Sequence, residues 1–253
     1  MLLTDTTAIV TGGASGLGAA TAAALAGAGA QVLALDLPEA CEGGPEVEGV
    51  SYAPTDVTVE EQVRAAVARA SEDPSRPLRT VVNCAGIGPS MRILGRKGVH
   101  DLSVYRKVVE INLIGSFTVM AVAAEAIAAT EPDAGGQRGV VINTASIAAF
   151  DGQVGQAAYS SSKGAIVGLT LPAARDLAQH GIRVMTIAPG IVETPMLATV
   201  SDEFRAGLAA GVPFPQRLAL PEEFAKLALA IVDHDYLNGE TIRMDGALRM
   251  APR

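Results

Sequence analysis

The stretch Thr7–Gly18, TAIVTGGASGLG, decides the fold of this 253-residue chain. Its first five residues are typical of a short buried strand, and the Ala-rich segment Leu17–Ala28 is typical of a helix. The glycines Gly12, Gly16 and Gly18 join the two. Such a turn lets the backbone approach a pyrophosphate, which free N–H groups at the helix N-terminus can bind. The stretch predicts a dinucleotide-binding turn, although a glycine-rich turn taken alone also occurs in ordinary loops.

Strand-like and helix-like segments alternate along the rest of the chain. Further strands are predicted at Gln31–Leu35, Val50–Ala53, Leu78–Asn83, Gly139–Thr144, Arg183–Ile187 and Thr241–Met244. Further helices are predicted at Val59–Ala70, Leu102–Ala129, Gln156–Gln179 and Pro221–Val232. The strands are continuous apolar runs, as expected when both faces of a parallel sheet are covered. We predict an α/β fold with one domain, residues 1–253: a Rossmann fold with a doubly wound parallel sheet of about seven strands.

Three loops are longer than this fold requires. Gly86–Asp101 and Gly190–Leu220 follow strands, whereas Glu131–Arg138 follows a helix. Ligands of open α/β sheets bind beyond the carboxyl ends of the strands. We therefore expect the first two loops near a ligand site, with residues 190–220 as the substrate loop, and the third at the opposite rim.

Composition argues against several classes of partner. The net charge of −8 does not favour binding to a nucleic acid backbone. Cys41 and Cys84 form no CxxC motif and the three histidines are scattered, so no metal site is predicted. The N-terminus lacks a basic targeting region, and we read no apolar run of the roughly 18 residues that a membrane span needs. We expect a cytoplasmic protein with no membrane partner.

An acidic residue defines the expected cofactor. Asp36 ends the second strand, at about the 20-residue spacing at which a carboxylate binds the adenosine ribose hydroxyls. The same carboxylate repels a 2′-phosphate, so we predict NAD rather than NADP. A solvated Asp at a strand end is the alternative. Asp56 and Val57 follow the third strand and the NCAG segment Asn83–Gly86 ends the fourth, so both should border the same crevice.

The chemistry is predicted from YSSSK, residues 159–163. Tyr159 and Lys163 are four residues apart and share one face of a helix. An ammonium beside a phenol favours the phenolate and lowers its pKa from about 10. Tyr159 could then act as general base for alcohol oxidation or as general acid for ketone reduction. By itself, this spacing could be incidental.

Two polar residues complete the predicted catalytic group. Ser146 follows the fifth strand in NTAS, where a hydroxyl can hold the reacting oxygen. Asn112 lies in a predicted helix between apolar neighbours, and a buried amide needs hydrogen-bond partners. Asn112 could anchor a water that links Lys163 to solvent, or it could be a satisfied structural amide.

Taken together, TGGASGLG at 11–18, NCAG at 83–86, Asn112, Ser146 and Tyr159 with Lys163 resemble the short-chain dehydrogenase/reductase family over essentially the whole chain. The resemblance implies a tyrosine acid/base, a lysine that binds the nicotinamide ribose, a serine that orients substrate and an asparagine that holds a relay water. It also implies an NAD-binding set: Gly12, Ser15, Gly16, Leu17, Gly18, Asp36, Asp56, Val57, Cys84, Ala85, Gly86, Tyr159, Lys163, Pro189, Val192 and Thr194.

Longer stretches resemble one branch of that family, whose members act on 3-hydroxyacyl-CoA thioesters. They cover residues 136–146, 152–178, 182–190, 212–218 and 237–250. The resemblance implies NAD, an L-3-hydroxyacyl-CoA substrate and a homotetramer. Gln153 and Gln156 become candidates to line the substrate pocket with Ser146 and Tyr159. Ala198–Ala210 departs from that branch, which leaves the acyl-chain preference open.

Several alternatives stay open. The substrate could be a steroid or another secondary alcohol or ketone, or a 3-oxoacyl thioester that the protein reduces. A nucleotide-sensing protein without catalysis would be expected to lack Tyr159 or Lys163, and both are present. A scaffold role in an RNA-processing complex gains no support from the acidic charge.

Two surface features also carry hypotheses. The loop Met91–Lys97 contains Arg92, Arg96 and Lys97, which could attract CoA phosphates or could be a solvated basic loop. For assembly, the helices 102–129 and 156–179 could pair across a two-fold axis, and Gly246–Pro252 could pack on a neighbouring subunit.

Overall fold

The computed structural model describes residues 1–96, 98–197 and 201–252. Its strands are β1 (Thr7–Thr11), β2 (Gln31–Asp36), β3 (Val50–Pro54), β4 (Leu78–Asn83), β5 (Leu94–Gly95), β6 (Gly98–Val99), β7 (Gly139–Thr144), β8 (Ile182–Pro189) and β9 (Thr241–Met244). Seven of them form one parallel sheet in the order β3–β2–β1–β4–β7–β8–β9. The strands β5 and β6 form a separate antiparallel pair.

Helices cover both faces of the sheet. They are α1 (Gly16–Gly27), α2 (Pro38–Glu42), α3 (Glu60–Ala70), α4 (Leu102–Val109), α5 (Ser116–Ala128), α6 (Ala157–Leu177), α7 (Asp202–Ala210) and α8 (Pro221–Asp233). One apolar layer joins α1 and α8 to the sheet, and the other joins α3, α5 and α6. Because the central strands are apolar on both faces, each layer has its own core. The predicted single-domain α/β Rossmann fold is confirmed.

The structure contains several short elements that the sequence pattern does not predict. A π-helix, Glu110–Gly115, separates α4 from α5 within the predicted helix 102–129. The predicted substrate loop 190–220 contains α7, and the loop 86–101 contains the β5–β6 pair. Short 3₁₀ turns at Ile147–Ala149 and Pro195–Leu197 follow β7 and β8. These features are short or lie in segments without a clear apolar period, so the sequence pattern does not predict them.

The helical stretch Leu102–Ala128 corrects the expectation that no apolar run is long enough for a membrane span. It has 27 residues, and its most apolar 18-residue window has a mean hydropathy of 1.7. By length and composition this stretch passes the test for a membrane span, but a buried core helix passes the same test. In the fold, Val119, Ala123 and Ile127 of this stretch are fully buried in the α3–α5–α6 layer.

The strand order positions a crevice at the carboxyl edge of the sheet. The chain proceeds from β1 to β2 on one side and returns to β4 on the other, so the loops after β1 and β4 diverge there. The Thr11 hydroxyl ties these two loops together, because it accepts hydrogen bonds of 3.1 Å from the backbone N–H groups of Cys84 and Ala85.

Candidate active site

A cavity of about 570 Å³ occupies this crevice. The loops that follow β1, β2, β3, β4, β7 and β8 form its wall, together with α4, the start of α6 and one C-terminal residue. Every member of the predicted NAD-binding set lies on this wall, as do Ser146, Gln156 and Tyr159 from the predicted substrate set. The fold therefore brings together residues that are up to about 180 positions apart in the sequence.

The glycine-rich turn is shaped by close backbone contacts. A Cβ on Gly18 would lie 2.0 Å from the Gly12 carbonyl oxygen, and one on Gly12 would lie 2.9 Å from the Ala85 nitrogen. Gly12 also has a φ of +63°, which favours glycine. Ser15 is the N-cap residue of α1 and makes no side-chain capping bond, so the first-turn N–H groups are left available to a ligand, and residues 15–18 line the cavity. This cradle fits the pyrophosphate of a dinucleotide.

Asp36 is fixed at the end of β2. One carboxylate oxygen accepts a 3.0 Å hydrogen bond from the Ala14 N–H, and the other accepts a 2.9 Å bond from the Leu37 N–H. A carboxylate has about four lone-pair positions, so each oxygen keeps capacity for a ribose hydroxyl. The negative charge of Asp36 disfavours a phosphate on the 2′-hydroxyl of the adenosine ribose.

Lys163 is buried, with 4% of its surface exposed. Its ammonium donates a 2.7 Å hydrogen bond to the Thr144 carbonyl and lies 5.8 Å from the centre of the Tyr159 ring. Burial lowers the pKa of Lys163 to about 8, and the nearby Cys84 partly opposes this. Thr144 takes one of the three N–H donors of the ammonium. Because Lys163 lines the cavity, its remaining donors are available to hydroxyl groups of a ligand.

Burial raises the pKa of the Tyr159 phenol, and the hydroxyl of Ser146 partly counteracts that effect. This direction is opposite to the lowering that the sequence pattern predicts from Lys163. Desolvation penalises the phenolate, and the ammonium is itself buried and hydrogen-bonded to Thr144. The pair does share one helix face, but its geometry favours a protonated tyrosine at neutral pH.

Asn112 is fully buried in the π-helix and braces the loop after β4. Its amide nitrogen donates to the Ile87 carbonyl at 2.9 Å and to the Ser162 hydroxyl at 3.0 Å, and its oxygen accepts from the Ile87 N–H at 2.8 Å. Both N–H bonds of the side chain are therefore used within the protein. Of the two alternatives for this side chain, the contacts favour the structural amide.

Gly86 passes between Asn112 and Lys163. A Cβ at this position would lie 3.1 Å from the Asn112 oxygen and 3.6 Å from the Lys163 ammonium. The loop after β4 thus runs close to both side chains because residue 86 is a glycine.

The two glutamines predicted to line the substrate pocket lie in different pockets. Gln156 lies on the cavity wall, where its oxygen accepts a 2.9 Å bond from the Gln153 N–H. Gln153 lines a second pocket of about 470 Å³, and its amide donates to the Ala251 carbonyl at 2.8 Å. The prediction that Gln153 lines the substrate pocket is corrected: it anchors the C-terminal segment instead.

The other surface hypotheses have mixed outcomes. Arg92 lines the second pocket, Arg92 and Arg96 are exposed, and Lys97 lies outside the described residues. The segment Gly246–Pro252, expected against a neighbouring subunit, contacts its own chain at Gln153 and Val154.

Sequence analysis missed contributors that act through the backbone or through apolar contact. Thr144 serves through its carbonyl oxygen, for which its side chain gives no indication. Ile147, Ile191 and Met250 lie on the cavity wall as apolar residues among many. The fold is needed to select them, because no spacing rule separates them from core residues.

A family model described as "short chain dehydrogenase" matches residues 6–204. The chain therefore belongs to the short-chain dehydrogenase family of oxidoreductases, whose Rossmann fold takes a nicotinamide dinucleotide and a small-molecule substrate.

Particular relatives share most of the chain. "3-hydroxyacyl-CoA dehydrogenase type-2" from Bos taurus is 53% identical over 97% of this chain and 95% of its own. "(3R)-3-hydroxyacyl-CoA dehydrogenase" from Homo sapiens is 34% identical, covering 96% of this chain and 95% of its own. The crystal structure of "3-hydroxyacyl-CoA dehydrogenase type-2" from Mycobacterium avium has a TM-score of 0.91 and 40% identity, with 98% of both chains covered.

Proposed function

We propose that this protein is an NAD-dependent dehydrogenase that reversibly oxidises L-3-hydroxyacyl-CoA to 3-oxoacyl-CoA. The observation that carries the proposal is the meeting of Tyr159, Ser146 and Lys163 on one wall with the glycine-rich dinucleotide cradle. The substrate class rests on the similarity to proteins named for it, of which the bovine relative is 53% identical.

The residues divide the work by their contacts. The Ser146 oxygen accepts a 3.1 Å bond from the Ala148 N–H, so its own O–H can point to the substrate oxygen. Tyr159 transfers the proton to or from that oxygen, and Lys163 holds the ribose side of the site through its remaining donors. When bound, the nicotinamide supplies the hydride acceptor or donor. Because burial keeps Tyr159 protonated at neutral pH, its resting state suits ketone reduction, and alcohol oxidation should accelerate as pH rises.

The role of Tyr159 has a direct test. Tyr159→Phe removes the transferred proton and should reduce kcat by about 10²–10⁴-fold, the usual range for general acid–base catalysis. NADH affinity, measured by the fluorescence of bound NADH, should stay nearly unchanged. Tyr236→Phe is the matched control, since Tyr236 is 95% exposed. Normal turnover in Tyr159→Phe would refute the assignment.

The preference for NAD depends on Asp36. Its carboxylate lies where the adenosine ribose is expected and opposes a 2′-phosphate. We expect kcat/KM to be far higher with NADH than with NADPH, and Asp36→Ala to narrow that difference. Comparable turnover of both cofactors by the unmodified protein would contradict the proposal.

The substrate class is tested by NADH oxidation with acetoacetyl-CoA, 2-methylacetoacetyl-CoA and a steroid ketone. We expect the thioesters to be preferred, and a preference for the steroid would support the alternative substrate class. The human relative named for (3R) substrates makes the stereochemistry a separate question. Oxidation of the L but not the D enantiomer of 3-hydroxybutyryl-CoA is the expected result.

We also propose a homotetramer. Ile114, Phe117 and Leu171 are apolar side chains 44–49% exposed on the helices that could pair across a two-fold axis. Sedimentation should give about four times the 25.8 kDa mass of the chain. A species of about 26 kDa at working concentration would exclude the tetramer.

A further inference from the structure

The segment Asp245–Pro252, named here the C-terminal strap, contributes to the active-site cavity. Met250 is half-buried and lies on the cavity wall, on the same cavity as Ser146 and Tyr159. The strap lies beyond residues 6–204, the part of the chain that the family model matches. The family model therefore does not cover it.

Met250 belongs to an apolar cluster beside the reacting centre. Ile147, Val212 and Leu248 are its buried members, and Ile191 and Met250 pack against them. Ile147 directly follows Ser146, and its side chain also lines the cavity. This cluster places an apolar wall within one residue of the hydroxyl that faces the substrate oxygen.

The strap is fastened at both ends to the loop that follows Ser146. At its far end, the Pro252 carbonyl accepts a 3.0 Å bond from the Val154 N–H, and the Ala251 carbonyl accepts a 2.8 Å bond from Gln153. Next to its near end, Arg243 of β9, two residues before the strap, pairs with Asp151 at 2.6 Å.

Arg243 also fastens the strap itself. It pairs with Asp245 at 2.7 Å and donates a 3.0 Å bond to the Leu248 carbonyl. Its guanidinium lies 5.0 Å from the centre of the Phe150 ring. The Arg243 and Asp151 side chains are only about one-fifth exposed, so solvent screens their ion pair less than a surface pair. These contacts hold the strap, which contains Met250, against the loop that follows Ser146.

We propose that Met250 is a specificity-determining residue. It limits the length of the acyl chain beyond the reacting carbon, on the side away from the thioester. This inference rests on the proposed function, because it assigns the apolar cluster to the acyl chain of a 3-hydroxyacyl thioester. A methionine suits the role, since its unbranched side chain fills irregular space and leaves room when shortened.

The test compares a short substrate, acetoacetyl-CoA, with a long one, 3-oxodecanoyl-CoA. Met250→Ala should raise the ratio of kcat/KM for the long over the short substrate about tenfold, and Met250→Phe should lower it by a similar factor, as expected when a pocket changes by a few methylenes. Leu2→Ala is the control, because it also shortens an apolar side chain to alanine, but at a position that is 82% exposed and outside the strap. Its ratio should equal that of the unmodified protein.

NADH affinity separates this effect from damage to the cofactor site. It should be the same in all three variants, measured by the fluorescence of bound NADH. Should Met250→Ala not fold, Met250→Val makes the same comparison with a smaller truncation. Unchanged ratios in folded variants at either size of substitution would overturn the inference while leaving the proposed function intact. Failure of the unmodified protein to turn over any thioester would overturn both.

A second variant tests whether the fastening matters. Asp151→Asn removes the charged partner of Arg243 but keeps the Met250 side chain. Because the strap is then held less firmly, this variant should shift the ratio in the direction of Met250→Ala by a smaller factor. A shift equal to zero, with Met250→Ala effective, would show that Met250 acts without the Arg243–Asp151 pair and would remove the strap from the inference.

Discussion

The loop after β1 and the segment after β8 both line the same cavity. Backbone contacts fix the shape of the first, whereas side-chain contacts fix the shape of the second. In the first, backbone atoms approach so closely that Gly18 admits no Cβ, which would lie 2.0 Å from the Gly12 oxygen. In the second, side chains hold the described residues: Glu193 pairs with Arg205 at 3.4 Å, and Arg217 with Glu223 at 2.7 Å.

This difference indicates which part of the cavity should be shared by members of the family and which part should vary between them. A cradle built from backbone N–H groups binds a pyrophosphate in any member that keeps the glycines. A wall built from side chains changes whenever those side chains change. Relatives named for (3R) and for type-2 3-hydroxyacyl-CoA dehydrogenases both match more than nine-tenths of this chain. We therefore expect differences in substrate between members of the family to depend on the side-chain-built wall.

The largest effect is expected from a substitution that disrupts the loop after β1, whose shape depends on close backbone contacts. Gly18→Ala places a methyl group against the Gly12 carbonyl, and no flexible side chain is present there to move aside. We expect the free energy of unfolding to fall by about 3 kcal/mol or more, at the upper end of overpacking effects. NADH affinity should fall with it. Urea unfolding and NADH fluorescence titration measure the two effects.

Gly27→Ala is the matched control on the same helix. A Cβ at Gly27 would meet no atom within 4 Å, so the helix should gain about 0.5–1 kcal/mol from the better propensity of alanine. Equal effects of the two substitutions would contradict the view that close backbone contact defines this loop.

The next effect concerns Lys163, which lines the same cavity as the two regions. Burial lowers its pKa from 10.5 to about 8, so the folded protein binds fewer protons than the unfolded chain between these values. Lys163→Met should therefore be more stable than the unmodified protein below pH 8, by up to about 3 kcal/mol. This advantage should shrink as pH rises from about 8 to about 10.5, because the unmodified protein gains stability there.

Urea unfolding at several pH values measures this difference, and Lys226→Met at an exposed position is the control. The lost bond to the Thr144 carbonyl reduces the gain but does not change its dependence on pH. A pH-independent difference would show that burial does not disfavour the ammonium. It would also remove the physical reason for a stability cost at this site.

The smallest expected effect tests the ion pair between Arg217 and Glu223 in the segment after β8. The hydrogen bonds from Arg217, and that from the Leu220 N–H, lower the pKa of Glu223 from 4.5 to about 2. The stabilisation is present above pH 4.5 and is lost as pH falls toward 2. Since both side chains are 40% or more exposed, Glu223→Gln should cost only about 0.5–1 kcal/mol at pH 7.

Glu222→Gln is the control, because Glu222 lies in the same first helical turn and shares its dipole. Thermal denaturation of both variants at pH 7, pH 3 and pH 2 isolates the ion pair. The difference between the two variants should be largest at pH 7, smaller at pH 3 and smallest at pH 2, near the folded pKa of Glu223. A constant difference would assign the effect to something other than the charge of Glu223.

The sequence predicted the sheet because continuous apolar runs and helix-like segments alternate, and each buried strand leaves a clear run. It also predicted the wall of the dinucleotide site, since Gly12, Gly18 and Asp36 occupy positions set by strand ends. These residues act where the chain leaves regular structure, and local spacing suffices to place them.

The remaining features depend on contacts between distant segments. Gln153 and Gln156 are three residues apart, yet only the fold shows that one faces the cavity and the other holds Ala251. The spacing of Tyr159 and Lys163 predicted their proximity, but not the desolvation that raises the tyrosine pKa. Burial is a property of the assembled fold, so motif spacing alone does not give its electrostatic consequence.

The π-helix at Glu110–Gly115 has a consequence for the phase of the helix that contains it. One extra residue in a turn offsets every later side chain by about 100° relative to an uninterrupted α-helix. Asn112 can therefore turn toward Ile87 and Ser162 while Val119 and Ala123 still face the core. Deleting a single residue such as Ile114 would restore regular winding but rotate one of these two faces away from its partners. The irregular turn thus lets one helix serve the site and the core at once.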